Sequence, residues 1–153
     1  MYSRILVPLD GSSLSERAIK PALEIAQRRQ ATLILCRSHE PTVIPPAARG
    51  FVDQKELHKT ERDEIEAYLK KRLPTEYDKC EAVVLAGSAA EAVLSYAEEN
   101  EIELIVLTTH GGSGFGRWLL GSVAERICRH SPCPVLSIGQ KTLKKLEQML
   151  VKT

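Results

Sequence analysis

Two short stretches hold the residue types that could do chemistry in this chain. The longer is Thr108-Thr-His-Gly-Gly-Ser-Gly-Phe-Gly-Arg-Trp-Leu-Leu-Gly-Ser122, and the shorter is Asp10-Gly-Ser-Ser13. Glycines lack a Cβ, so backbone N–H groups in the longer stretch can approach a ligand closely. The apolar run before it, Leu104-Ile-Val-Leu107, reads as a strand, and Val123-Ala-Glu-Arg-Ile127 after it reads as the start of a helix. A glycine-rich loop between strand and helix gathers bare amides and a positive helix end at one spot, which is an anion site in outline.

Better-known phosphate motifs do not fit. Gly116-x-x-x-x-Gly121 is followed by Ser122, so the lysine of a Walker A loop is missing. Gly112-x-Gly114-x-Gly116 lacks the spacing of the dinucleotide fingerprint and follows the fourth strand instead of the first. His110-Gly-Gly resembles an esterase oxyanion loop, yet no Gly-x-Ser-x-Gly elbow exists in the chain. Cys128-x-His130-x-x-Cys133 offers soft ligands but no fourth one and no Cys-x-x-Cys pair, so it does not read as a metal centre.

The elements that must position these stretches follow from hydrophobic patterning. Ile5-Leu9 and Leu104-Leu107 are continuous apolar runs, the mark of parallel strands covered on both faces, and Thr32-Cys36, Cys80-Ala86 and Val135-Ile138 read as further strands. Between them lie segments of helical period. Leu14, Ala18, Ala22, Ile25 and Ala26 share one face, with Pro21 predicting a kink. Leu57, Ile65, Tyr68 and Leu69 stripe a charged helix from about 53 to 73. Ala89, Val93, Tyr96 and Ala97 point inward from a third helix, and Val123, Ile127 and Cys128 share a face of a fourth. Three Ser-x-x-Glu boxes, at Ser13, Ser88 and Ser122, predict helix starts. Three prolines between His39 and Gly50 predict an irregular loop.

Strand and helix alternate, which implies a doubly wound parallel α/β sheet of the flavodoxin-like or Rossmann-like kind. For strand order 3-2-1-4-5, the loops leaving strands one and four face each other at the point where the order reverses. Those loops are the two stretches above. The expected layout is one domain over residues 1–140 and a helical extension over 141–153, with Leu143, Leu146 and Leu150 at helical spacing.

At 153 residues the chain has the size of one domain. A net charge of +1 with interspersed signs gives no electrostatic case for nucleic acid or an anionic membrane. No apolar run approaches the ~18 residues of a membrane span. The first residues lack a signal peptide's apolar region, so the cytoplasm is the expected location and the four cysteines are expected as reduced structural thiols.

Taken together, the loops resemble those of the universal stress protein family. That family's nucleotide motif is Gly, two residues, Gly, nine residues, then Gly-Ser or Gly-Thr. Gly111 and Gly121-Ser122 match it, and Thr108 stands in place of the first glycine. Val7-Pro-Leu-Asp-Gly-Ser12, the segment from Gly87 to Leu107, and Pro134-Val-Leu136 are similar to the family as well, so the likeness extends to about Gln140.

The resemblance implies an ATP-binding stress-response regulator acting as a homodimer through the last strand, Pro134 to Ile138, and not an enzyme, with slow ATP hydrolysis as a lesser alternative. The nucleotide would be ATP, ADP or AMP, with Mg2+ or Mn2+ accompanying the triphosphate. Carried over by position, Pro8, Leu9 and Asp10 would contact base or ribose, and the backbone of Arg37 would meet adenine. Thr108, Thr109, His110, Gly111, Gly112, Ser113 and Gly114 would hold ribose and phosphates. Gly121, Ser122 and Val123 would donate to phosphate oxygens.

The residues lend separate support. An ionised Asp10 only accepts hydrogen bonds and so suits ribose hydroxyls. Arg117 could add a guanidinium to the phosphates. Thr108 leaves two outcomes open: its side chain obstructs the ligand, or its hydroxyl bonds to it. In the first case the chain would be a dimeric interaction module of the same fold that binds no nucleotide. The side chain of Arg37 is expected in solvent.

Overall fold

The computed structural model describes residues 2–109 and 121–150. Five strands form one parallel sheet: β1 (Arg4–Pro8), β2 (Thr32–His39), β3 (Cys80–Ala86), β4 (Leu104–Thr109) and β5 (Val135–Gly139). Their spatial order is β3-β2-β1-β4-β5, the order expected for this fold, and all pairs are parallel as the alternating pattern predicts. Among the described residues six helices surround them: α1 (Ser13–Glu16), α2 (Ile19–Arg29), α3 (Gln54–Lys70), α4 (Ala89–Glu99), α5 (Ser122–His130) and α6 (Gln140–Leu150).

The central strands are buried on both faces, which is why their sequences are continuously apolar. Ile5, Val7, Leu33, Leu35 and Val106 belong to one core cluster, with Ala18, Ala22 and Ala26 of the α1–α2 segment and Leu69 of α3. Leu6, Ile34, Cys36, Ile105 and Leu107 belong to the other, with Val93 and Ala97 of α4 and Ile127 of α5. Alternate residues of one strand feed opposite cores because the side-chain period is two. Burying each large aliphatic chain contributes about 1.5–3 kcal/mol.

Local details depart from the sequence expectations. β2 runs on to His39 because Arg37, Ser38 and His39 pair with Val84, Leu85 and Ala86 of β3. The irregular loop therefore starts at Glu40, with a short 3-10 turn at Pro46–Ala48. The first helix is two: α1 stops at Glu16 and α2 starts at Ile19. Pro21 has no N–H to bond the carbonyl of Arg17, so the expected kink appears as a break four residues upstream.

Helices begin at all three predicted places, with Ser88 as the N-cap of α4 and Ser13 and Ser122 as first residues of α1 and α5, but the side-chain cap bonds differ from the expected boxes. Ser12, not Ser13, caps α1, its Oγ accepting from the Ser15 amide. Ser88 makes no side-chain cap bond, and the cap of α5 is Gly121, which leaves Ser122 as the first helical residue. On α5 only Ile127 is buried, while Val123 and Cys128 are exposed. Leu143 of α6 packs into the core beside Ile138. The side chains of Leu146 and Leu150 lie outside the description.

Candidate functional site

The ladder between β1 and β4 pairs Ile5 with Leu104 and Leu6 with Ile105, and goes no further. Beyond those pairs the two strands part: β1 runs on to Pro8 beside β2, and β4 runs on to Thr109 beside β5. A cleft of about 430 Å3 opens at this point, where strand order reverses.

One wall is the turn after β1. Gly11 adopts φ +88, a conformation that costs glycine least. The Ser12 amide donates to Asp10 Oδ1 at 2.8 Å, the Asp10 amide donates to Ser15 Oγ at 3.3 Å, and the Ser15 hydroxyl donates to the Ser12 carbonyl at 2.9 Å. This closed set of bonds shapes the turn from residues within five positions of each other. Partial burial pushes the Asp10 carboxyl up, but the Ser12 hydroxyl and amide and the Ser15 hydroxyl together hold it below its ordinary value. Asp10 is a carboxylate at neutral pH.

The other wall is the start of α5. Gly121, Ser122, Val123 and Ala124 line the cleft, with Ile127 beneath them. The first amides of a helix have no partner within it, and the dipole makes this end positive. Gly121 supplies no side-chain cap. The floor and sides are Pro8, Leu9, Cys36, Leu107, Ala89 and Val93. Cys36 is fully buried, which pushes its thiol pKa up and keeps it neutral.

Thr108 sits on the cleft wall, and its hydroxyl donates to the Leu14 carbonyl at 2.9 Å. The hydroxyl is thus engaged by α1, and the cleft retains its volume with threonine in place.

Arg37 also lines the cleft, but its guanidinium is not in open solvent as the sequence reading expects. It lies over Gly11: a Cβ built there would come within 2.8 Å of Nη1, 3.2 Å of Cζ and 3.3 Å of Nη2. Its Cζ stands 5.2 Å from the centre of the Tyr68 ring, and that of Arg72 stands 4.1 Å from the same ring. Glu16 ties these together, accepting from the Tyr68 hydroxyl at 2.8 Å and from Arg72 Nε at 2.9 Å. Arg37 is drawn there by a π face and by the room a glycine leaves.

Of the residues singled out from sequence, Pro8, Leu9, Asp10, Arg37, Thr108, Thr109, Gly121, Ser122 and Val123 line one cleft. His110, Gly111, Gly112, Ser113 and Gly114 lie outside the described residues, as does Arg117. Ser12, within the Asp10–Ser13 stretch, lines the cleft as well, and Ser15, Ser38, Ala89 and Val93 line it without having been assigned a role at the site. Ser12 and Ser15 carried a signal in their capping spacing, whereas Ala89 and Val93 join only because α4 packs at this end of the sheet. Among the described residues no cluster of His, Cys, Asp or Glu is arranged to hold a metal ion. All four cysteines are free thiols. No described helix is long and apolar enough to cross a membrane.

An open parallel sheet, with an acidic turn facing a helix N-terminus across its switch point, defines a doubly wound α/β protein with a crevice at the carboxyl ends of its central strands. The universal stress protein family model matches residues 1–138, and the chain belongs to that family. Universal stress protein MJ0531 of Methanocaldococcus jannaschii is 36% identical over 140 residues, covering 90% of this chain and 82% of its own. Among solved structures, universal stress protein UspA from Lactobacillus plantarum superimposes with a TM-score of 0.68 at 28% identity, covering 90% of this chain and 97% of that one. A universal stress protein in complex with cAMP superimposes with a TM-score of 0.65 at 25% identity, over 90% of this chain and 97% of that one.

Proposed function

We propose that this universal stress protein binds an adenine nucleotide in the cleft between β1 and β4 and acts as a nucleotide-responsive homodimer without a chemical step of its own. The observation that carries the reading is the meeting of the Asp10 carboxylate and the α5 N-terminus in one cleft of about 430 Å3. That volume lies within the range of small-molecule sites. The carboxylate suits ribose hydroxyls, and the helix end suits phosphate oxygens. A relative solved in complex with cAMP supports adenosine as the ligand's core.

The engaged hydroxyl of Thr108 favours binding over the rival interaction module, because the side chain is turned to Leu14 and leaves the cleft open. Asp10 is the only acidic residue in the described lining, so a Mg2+ or Mn2+ ion would be carried chiefly by the triphosphate.

Calorimetric titration with ATP and magnesium tests the reading. Saturable heat below millimolar ligand is expected, and Asp10→Ala should weaken affinity by roughly 10- to 100-fold, the worth of a hydrogen bond to a charged group. No heat from the parent at millimolar ATP would sink it.

The dimer reading rests on β5, which among the described residues pairs with β4 alone and leaves Leu136 at 39% exposure on the sheet's edge. Bare strand edges invite pairing with a second chain. Light scattering at micromolar concentration should give a dimer for the parent and a monomer for Leu136→Lys.

A further inference from the structure

The cleft described above holds two charged residues in its described lining, Asp10 and Arg37. Asp10 has an evident use, but Arg37 forms no ion pair with a described carboxylate. Its guanidinium instead lies on Gly11, one residue from Asp10, with three of its atoms at 2.8 to 3.3 Å from where a Cβ would stand. Three similar distances mean that the planar group is laid flat over the glycine. Behind it stands Tyr68 of α3, whose own place is set by its bond to Glu16 of α1 and by the Arg72 guanidinium.

We propose that Arg37 is a positioning residue for Asp10, its flat guanidinium pressed between Tyr68 and Gly11 so that the turn after β1 holds the carboxylate toward the cleft.

Several physical points bear on this. The local bonds between Asp10, Ser12 and Ser15 fix the shape of the turn but not its tilt against the sheet. A left-handed glycine is also the most pliable point of such a turn. A plane resting on it removes that freedom, and only glycine admits the plane at this distance. The seat needs a delocalised planar cation, which stacks on an aromatic ring and presents a face to the backbone, and a lysine ammonium provides neither. α3 and the turn after it thereby become part of the site although Tyr68 and Arg72 do not line the cleft.

The ligand side of this inference rests on the nucleotide reading, so the test has two arms. In the ligand-free protein, hydrogen exchange at the Asp10 and Ser12 amides, both bonded within the turn, is compared among the parent, Arg37→Ala, Arg37→Lys and Tyr68→Leu. All three variants should speed exchange at those two amides about tenfold or more, while the core amides of Ile34 and Val106 stay unchanged. Unchanged exchange at the turn, a rise shared equally by the core, or parent-like behaviour of Arg37→Lys would overturn the proposal.

In the second arm, ATP is compared with dideoxy-ATP, which lacks the ribose hydroxyls that Asp10 would accept. Arg37→Ala should lower affinity for ATP about tenfold and for dideoxy-ATP less than about twofold, because the lost contact runs through Asp10. An equal loss for both nucleotides would mean a general structural role and would overturn the proposal. A parent that binds no ATP sinks the nucleotide reading alone, and the exchange arm then decides on the seat by itself.

Discussion

The loops that leave β1 and β2 differ in how they are held. The turn from Leu9 to Ser12 is short and closed by its own side chains, with Asp10, Ser12 and Ser15 bonded in a ring. The loop from Glu40 to Asp53 is long, and the bonds that tether it to the body run to α3. His39 Nε2 lies 2.8 Å from Glu61 Oε2, the Thr42 hydroxyl donates to Glu61 Oε1, and His58 Nε2 lies 3.4 Å from the Thr42 carbonyl. A short turn can satisfy its backbone locally, whereas a loop of this length needs partners from elsewhere in the fold. The second loop still displays Val43 and Phe51, the latter 91% exposed, so its anchoring is polar with Ile44 as a buried apolar peg.

The largest effect should come from cutting the tether of the long loop. His39 is only 6% exposed, and His39→Ala removes a buried side chain together with its bond to Glu61. Denaturant unfolding should show a loss of about 1–3 kcal/mol, with ATP affinity within about twofold of the parent because neither His39 nor Glu61 lines the cleft. A matching loss of affinity would mean that the two loops are coupled.

Next in size is the local cap of the short turn. Ser12→Ala removes the acceptor for the Ser15 amide and should cost about 1 kcal/mol, measured in the same way. Because Ser12 also helps to hold Asp10 ionised, this variant should weaken ATP binding where His39→Ala does not.

Acid should act on both loops with one sign. Asp10 is held below its ordinary pKa against the upward push of burial, by Ser12 and Ser15, and Glu61 is held below by Thr42 and His39. A depressed native pKa contributes stability above the unfolded value, lost as pH falls through the native one. Site-resolved exchange should therefore show both loops loosening below about pH 4, near the ordinary carboxylate range. Loosening of one alone would break the parallel.

At the alkaline end, burial and the Glu16 carboxylate push the Tyr68 hydroxyl up to about 12. Its contribution is complete below the ordinary value of about 10 and is lost as pH rises toward 12. Tyr68→Phe should flatten that limb of the stability curve. The smallest change is expected from Phe51→Ser, within about 0.5 kcal/mol of the parent, because the side chain has little contact to lose.

Much of the fold was legible in the sequence. Predominantly apolar runs marked the five strands, their alternation with helical segments implied a parallel doubly wound sheet, and with strand order 3-2-1-4-5 the two loops would meet. Nine of the singled-out residues line a single cleft for that reason. Element ends were less legible. A serine three residues before a glutamate occurs at helix starts, but which serine caps depends on where the backbone turns extended, and at α5 that position fell to Gly121.

What the sequence alone determined were properties that depend on residue type and near neighbours: strand identity, the break before Pro21, the anionic turn at Asp10. What only the tertiary structure decided were the pairings across elements. Tyr68 reaches Glu16 over 52 positions, and Thr108 reaches Leu14 over 94. Arg37 finds its seat on Gly11, and His39 its partner in Glu61, because the right-handed crossovers bring α3 against β2 and the first turn. Such contacts follow from how the helices lie on the sheet, a geometry that no local pattern of residues encodes.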